Sequence, residues 1–202
     1  MDSALIVDLT GSAGGLALFW KGKSSITLVK LCSWFIDVKV FDPVLNKSWR
    51  LVNVYFSSED NERKLQWDFF VHYKTCLGDD WIIWGDMNDI LSPQEKQGGL
   101  ARPSWSFRGF KKFVDDCGLV DLGFSGYPFT WRNNRCGDEY VQERLDRVLA
   151  TPSWCLLFDQ ASVTHLDTVG SNHSAILLNL KSIPARCRVP FGLMLVGWRM
   201  MK

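Results

Sequence analysis

The chain has 202 residues, 47% of them hydrophobic and 22% charged, with 23 Lys+Arg against 22 Asp+Glu. That length supplies one domain with a buried core needing no disulfide or metal staple, and ten Trp with thirteen Phe exclude a disordered chain. The formal net charge of +1 excludes a general polyanion-binding field, so any grip on nucleic acid must be local. In chain order, Ala4–Leu9, Leu16–Trp20, Ile26–Leu31, Phe35–Phe41 and Trp49–Phe56 read as strands, each rich in β-branched or aromatic residues between turn formers. Ile36-Asp37-Val38-Lys39-Val40 alternates strictly, which predicts a strand with one wet face. Leu65, Phe69, Tyr73 and Cys76 then recur at helical spacing behind Glu59-Asp60, predicting an amphipathic helix over residues 60–76.

Trp81-Ile82-Ile83-Trp84, ending at Gly85, has the form of a buried strand. A second helix is expected over 104–117, with Ser104 as N-cap, Phe107, Phe110, Phe113 and Val114 as its apolar face, and Gly118 as its stop. Phe129–Trp131 and Glu143–Leu149 read as strands around a polar turn. Thr151-Pro152 opens a short helix through Phe158, and Ser162–His165 and Ala175–Leu180 complete the strands. This order suggests α/β layers in one domain over residues 1–180. After Leu180 the composition breaks: residues 181–202 hold Lys181, Arg186, Arg188, Arg199 and Lys202 and no acid, which leaves 18 basic against 22 acidic residues before them. No uncharged apolar run approaches the ~20 residues needed to span a bilayer. The acidic start lacks a signal peptide's basic region, and the six cysteines show no CxxC or zinc spacing. Reduced thiols and an intracellular location, nucleus or cytoplasm, are the expectation.

Four polar clusters sit at predicted strand ends, where a rigid frame presents side chains. Gly85-Asp86-Met87-Asn88 places a carboxylate and a carboxamide where both can aim at one point, suited to activating water beside a phosphate, though Asp and Asn are also common in turns. Arg144-Leu145-Asp146-Arg147 reads by itself as an exposed strand salt-bridged with Glu143. Ser171-Asn172-His173 precedes an apolar strand and offers a histidine for proton work, or for structure alone. Tyr55 ends an apolar strand and suits a core or rim aromatic equally. His72 and His165 read as structural. The basic groups Arg102/Arg108/Lys111/Lys112 and Arg132/Arg135/Arg144/Arg147 could follow a phosphate backbone, but the acids interspersed with the second favour a solvated surface.

Taken in order, Tyr55, Gly85-Asp86-Met87-Asn88, Phe129-Thr130-Trp131-Arg132-Asn133, Arg144-Leu145-Asp146-Arg147 and Ser171-Asn172-His173 resemble the endonuclease/exonuclease/phosphatase superfamily. Gly14–Trp20, Cys117–Gly123 and Gln142–Asp146 narrow the resemblance to the apurinic-endonuclease-like domain of plant LINE-type, non-LTR retrotransposons, over residues 4–180. The resemblance implies a four-layer α/β sandwich of the deoxyribonuclease I type, two packed sheets flanked by helices. It also implies Mg²⁺-dependent phosphodiester hydrolysis, with DNA nicking as the activity, DNA as partner and no membrane. By position, Asp86 would orient or deprotonate water, Asn88 bind a phosphate oxygen, and His173 stabilise the transferring phosphate or shuttle a proton. Asp146 would hold the His173 tautomer and Tyr55 donate near the leaving group. Thr130, Ser171 and Arg132 would line the substrate groove.

Two departures from the family pattern are expected to impair this copy. The family's first strand-helix-strand portion, with an Asn and the principal metal-binding Glu, lies upstream of where this chain starts. Asn172 stands at a family Asp, a metal-ligand position that keeps the shape and loses the charge. The alternatives are a non-catalytic nucleic-acid-binding remnant using the basic tail, and a phosphomonoesterase of the same superfamily.

Overall fold

The structure, a computed structural model, describes residues 3–8, 15–20, 25–43, 45–167, 170–180 and 192–195. In chain order the elements are β1 (Ser3–Val7), β2 (Leu16–Trp20), β3 (Ser25–Cys32), β4 (Phe35–Asp42), β5 (Lys47–Tyr55), α1 (Asp60–Tyr73), β6 (Trp81–Asp86), β7 (Lys96–Gln97), α2 (Arg108–Cys117) and β8 (Val120–Asp121). They continue with β9 (Trp131–Arg132), β10 (Gln142–Glu143), β11 (Asp146–Ala150), α3 (Pro152–Leu157), β12 (Ser162–Leu166), β13 (Ala175–Asn179) and β14 (Gly192–Leu195).

A six-stranded sheet in the order β3-β4-β5-β6-β11-β8 is the centre of the molecule. Its one parallel pair, β5–β6, is joined through α1, as a parallel connection requires. Alternate side chains of its strands enter two different cores. Ile82 and Trp84 of β6, with Leu51 of β5, face a core shared with Leu18 of β2, Val163 of β12, Ile176 and Leu178 of β13, and Trp154 and Phe158 from α3. Trp81 and Ile83, with Val52 and Val54, face Trp67 and Phe70 of α1 and Phe110 and Phe113 of α2. The sheets β1-β2 and β12-β13-β14 therefore pack against one face of the six-stranded sheet, and α1 and α2 cover the other, the deoxyribonuclease I-type arrangement of packed sheets with helices outside. A strand buried on both faces explains why Trp81–Trp84 is wholly apolar. No described helix is long and apolar enough to cross a membrane.

Several boundaries and faces differ from expectation. The buried face of α1 is Arg63, Gln66, Trp67 and Phe70, while Leu65 is 69% exposed. Trp67 stacks on Phe110 and Phe113 at 5.7 and 6.0 Å, and this aromatic contact with α2 sets the rotation of the helix. Asp37 is fully buried rather than wet, because the Arg50 guanidinium and the Tyr73 hydroxyl (2.7 Å) both reach it. Helix α2 begins at Arg108 and not at Ser104. Residues 103–106 close a turn instead, with the Ser106 amide donating to the Pro103 carbonyl at 2.9 Å. Gly118 does end the helix, at φ 64°, and the Thr151 side chain does cap α3 by accepting from the Trp154 amide. The strand expected over 143–149 is two strands, β10 and β11, separated by Arg144-Leu145. Within the tail, β14 pairs antiparallel with β13; residues 181–191 and 196–202 lie outside the described residues.

Candidate active site

Three strand ends meet at one place. Gly85 has φ 146°, and a Cβ there would meet the Val54 carbonyl oxygen at 2.0 Å, so only glycine lets β5 and β6 approach this closely. That approach sets Tyr55 in register with Asp86, the last residue of β6. Asp146 opens β11 and is the direct antiparallel partner of Asp86. The segment before β13 is anchored by an isolated bridge between Trp131 and His173, by the Arg132 amide donating to the Asn172 carbonyl (3.0 Å), and by the His173 amide donating to the Ser171 hydroxyl (3.1 Å).

His173 thereby reaches both carboxylates. Its Nδ1 donates to Asp146 Oδ2 at 2.9 Å, which leaves Nε2 unprotonated in the neutral ring and 3.9 Å from Asp86 Oδ2. The gap between Nε2 and Asp86 is too long for a hydrogen bond and suits a bridging water or cation. Asp86 is 7% exposed. Burial, and then the facing Asp146 charge, push its carboxyl up to about 7, against the pull of His173 and the Asn88 amide. Asn88, in the left-handed region at φ 48°, spends its donors on holding Asp86. Its backbone amide donates to Oδ1 (2.8 Å), and Nδ2 donates to Oδ2 (3.1 Å) and to the Phe56 carbonyl (2.7 Å). A carboxyl that ionises near neutral pH beside a tautomer-fixed imidazole is suited to taking a proton from water and returning one to a leaving group.

The other predicted residues surround this trio. Tyr55 packs its ring against the inter-sheet core. Thr130 is 1% exposed, and its hydroxyl accepts from the Leu145 and Asp146 amides. Arg132 is exposed and donates to the Ser171 carbonyl at 3.3 Å. Thr130, Arg132 and Asn172 line, with Trp131, Gln142 and Ser174, a cavity of about 190 Å³ next to the His173 segment. The donor atoms of Asp86, Asp146 and His173 all lie within 4.8 Å of one another and form the candidate cation-binding group among the described residues.

Arg144 and Arg147 correct the expectation of an exposed strand. Both are buried, Arg147 completely, because Glu95, just before β7, and Asp121 of β8 reach them at 2.8–3.0 Å. Glu143 pairs instead with Lys96. This four-residue network brackets Asp146, and the sequence carried no sign of it beyond an Arg-x-x-Arg spacing. The guanidiniums hold Glu95 and Asp121 below the usual carboxylate range despite burial. His165 is a wall residue, as expected: it is buried, its Nδ1 contacts the Tyr127 carbonyl at 2.6 Å, and it stacks on Phe124 at 4.3 Å.

Residues 6–173 match the sequence family described as the Endonuclease/Exonuclease/phosphatase family. Among solved structures, the chain is similar to the endonuclease domain of TRAS1, a telomere-specific non-LTR retrotransposon. The identity is 18% and the TM-score 0.67, over 89% of this chain and 80% of that one. A conserved protein of unknown function from Enterococcus faecalis V583 matches at 12% identity and TM-score 0.54, over 97% and 77%. The Xenopus laevis APE2 catalytic domain matches at 14% and TM-score 0.48, and the chain spans 58% of its length. Among curated proteins no sequence match is found.

Proposed function

The chain belongs to the endonuclease/exonuclease/phosphatase family, and we propose that it is a Mg²⁺-dependent phosphodiester hydrolase that nicks DNA, of retroelement type and weak in this copy. The observation that carries the reading is the Asp146–His173 pair (2.9 Å) aimed at a buried carboxyl, Asp86, that ionises near neutral pH. Ionised Asp86 accepts a proton from the attacking water, and Asn88 keeps its two oxygens oriented. His173, its Nδ1 held by Asp146, acts on the phosphate from Nε2 when the ring is protonated, and the imidazolium gives that proton up as charge builds there. Arg132 at the neighbouring cavity suits a flanking phosphate. The retroelement assignment rests on the likeness to the TRAS1 endonuclease domain and on the order of the motifs.

The donor set fits a divalent cation. Asp86 offers an anionic oxygen and the Asp146 carboxylate lies beside it, two hard oxygen donors within 4.8 Å of one another. Asp86 would be the principal holder, and the bound cation would polarise the phosphoryl oxygen. Asn172 weakens that hold by supplying no charge where the family has Asp. The test is nicking of supercoiled plasmid in Mg²⁺. Slow nicking is expected that EDTA abolishes, that His173→Ala lowers about 100-fold or more, and that Asn172→Asp raises. Cleavage indifferent to EDTA or to His173→Ala, or none from either wild type or Asn172→Asp, would overturn the proposal.

A further inference from the structure

Between β10 and β11 the chain leaves the ladder for Arg144 and Leu145, and buried amides that leave a ladder need other acceptors. The Arg144 amide finds the Glu95 carbonyl at 2.9 Å. The next two amides, Leu145 and Asp146, converge on a single oxygen, the Thr130 hydroxyl, at 3.0 and 2.9 Å. A hydroxyl has two lone pairs and can accept both. The backbone of Thr130 is equally committed. Its amide donates to the Glu143 carbonyl at 3.0 Å, and its carbonyl accepts from the amide of Ser174, the residue after His173, at 2.7 Å. One residue, 1% exposed, thus bonds through its hydroxyl to the segment that delivers Asp146 and through its backbone carbonyl to the segment that delivers His173.

From this geometry we infer that Thr130 is a positioning residue: its hydroxyl sets where β11 begins, and so holds the Asp146 carboxylate at hydrogen-bond distance from His173 Nδ1. This rests on the hydrolase reading for its effect on rate, but its structural part stands apart from it. The hydroxyl's lone pairs are turned to the backbone, so its loss acts first on the Asp146–His173 contact. Valine has nearly the shape of threonine and no acceptor, so Thr130→Val leaves two buried amides unmet. Serine keeps the acceptor.

Two measurements test the inference. In plasmid nicking, Thr130→Val is expected to lower kcat about 10- to 100-fold with KM unchanged, the range in which a misplacement of about 1 Å falls, while Thr130→Ser recovers most of the rate. By proton NMR, wild type and Thr130→Ser should show a downfield, slowly exchanging His173 Nδ1–H resonance, and folded Thr130→Val should lack it. Thr130→Cys, a weak acceptor of similar size, takes the place of valine if that variant does not fold. The inference is overturned if Thr130→Val retains the resonance, if its loss lies in KM, if serine fails as valine does, or if wild type itself lacks the resonance. Absence of nicking in both wild type and Asn172→Asp, with the resonance behaving as expected, would sink the hydrolase reading and leave the positioning role standing.

Discussion

Asp86 carries the sharpest conflict between folding and chemistry in the molecule. Its carboxyl is buried against a facing Asp146 and ionises near 7, while in an unfolded chain it would ionise near the ordinary 3.8. The folded state therefore binds more protons than the unfolded state between those values, and stability falls as pH rises through that window. Asp86→Asn removes the titration. In urea unfolding of cation-free protein, the stability difference between wild type and variant should move against wild type from pH 4 to pH 7 and level off above pH 8. A difference that stays flat across this window would show that the carboxyl is not raised. The three residues of the centre stood out in the sequence through the order of the family motifs and not through local pattern, by which the Asp146 segment read as an exposed strand. Asp37 was not legible: its partners Arg50 and Tyr73 lie 13 and 36 residues away, and alternation alone put it in water. The hydroxyl of Thr130 was unreadable for the same reason, its acceptor role being defined by amides 15 and 16 residues on.

At the level of elements, the entry to β11 is clamped from behind by Glu95, Asp121, Arg144 and Arg147. The guanidinium of Arg147 is fully buried and bonds to both acids as well as to the Arg144 carbonyl at 2.9 Å. Removing one member of such a cluster leaves buried charge uncompensated, so Arg147→Ala should cost about 3–5 kcal/mol in urea unfolding. A loss below about 1 kcal/mol, the size expected of an exposed pair, would contradict the buried network. Glu95 and Asp121 are held low, so their share of this stability is present above the ordinary carboxylate range and is lost as pH falls through their depressed values. The types of the strands and helices followed from period and turn chemistry, but faces and boundaries did not always follow. In α1 two stripes at helical spacing competed. Trp67 and Phe70 won over Leu65 because α2 offered them Phe110 and Phe113 to stack on, a fact of tertiary contact that periodicity does not contain.

For the whole molecule, near-zero net charge conceals a mildly acidic body and a basic tail, and the structure gives part of that tail a place. β14 pairs along β13 through four residues, from Ile176–Leu195 to Asn179–Gly192. Gly192-Leu193-Met194-Leu195 has neither alternation nor a turn signal, so only the available edge of β13 identifies it as a strand. That edge is two residues from His173, and Ala175, Ile176 and Leu178 of β13 are buried. Deleting residues 181–202 would leave β13 with an unpaired edge, a site for association between chains. The truncated chain should therefore melt several degrees lower, since about 1 kcal/mol corresponds to roughly 2–4 °C at this length, and should scatter light at concentrations where the full chain does not. Replacing Lys181, Arg186, Arg188, Arg199 and Lys202 by Gln tests the other use of the tail. If its charge grips DNA, that variant keeps its melting temperature while its duplex affinity loses part of its salt dependence. If truncation leaves melting and scattering unchanged, β14 is not what covers β13, and any loss of DNA binding on truncation belongs to the charges alone.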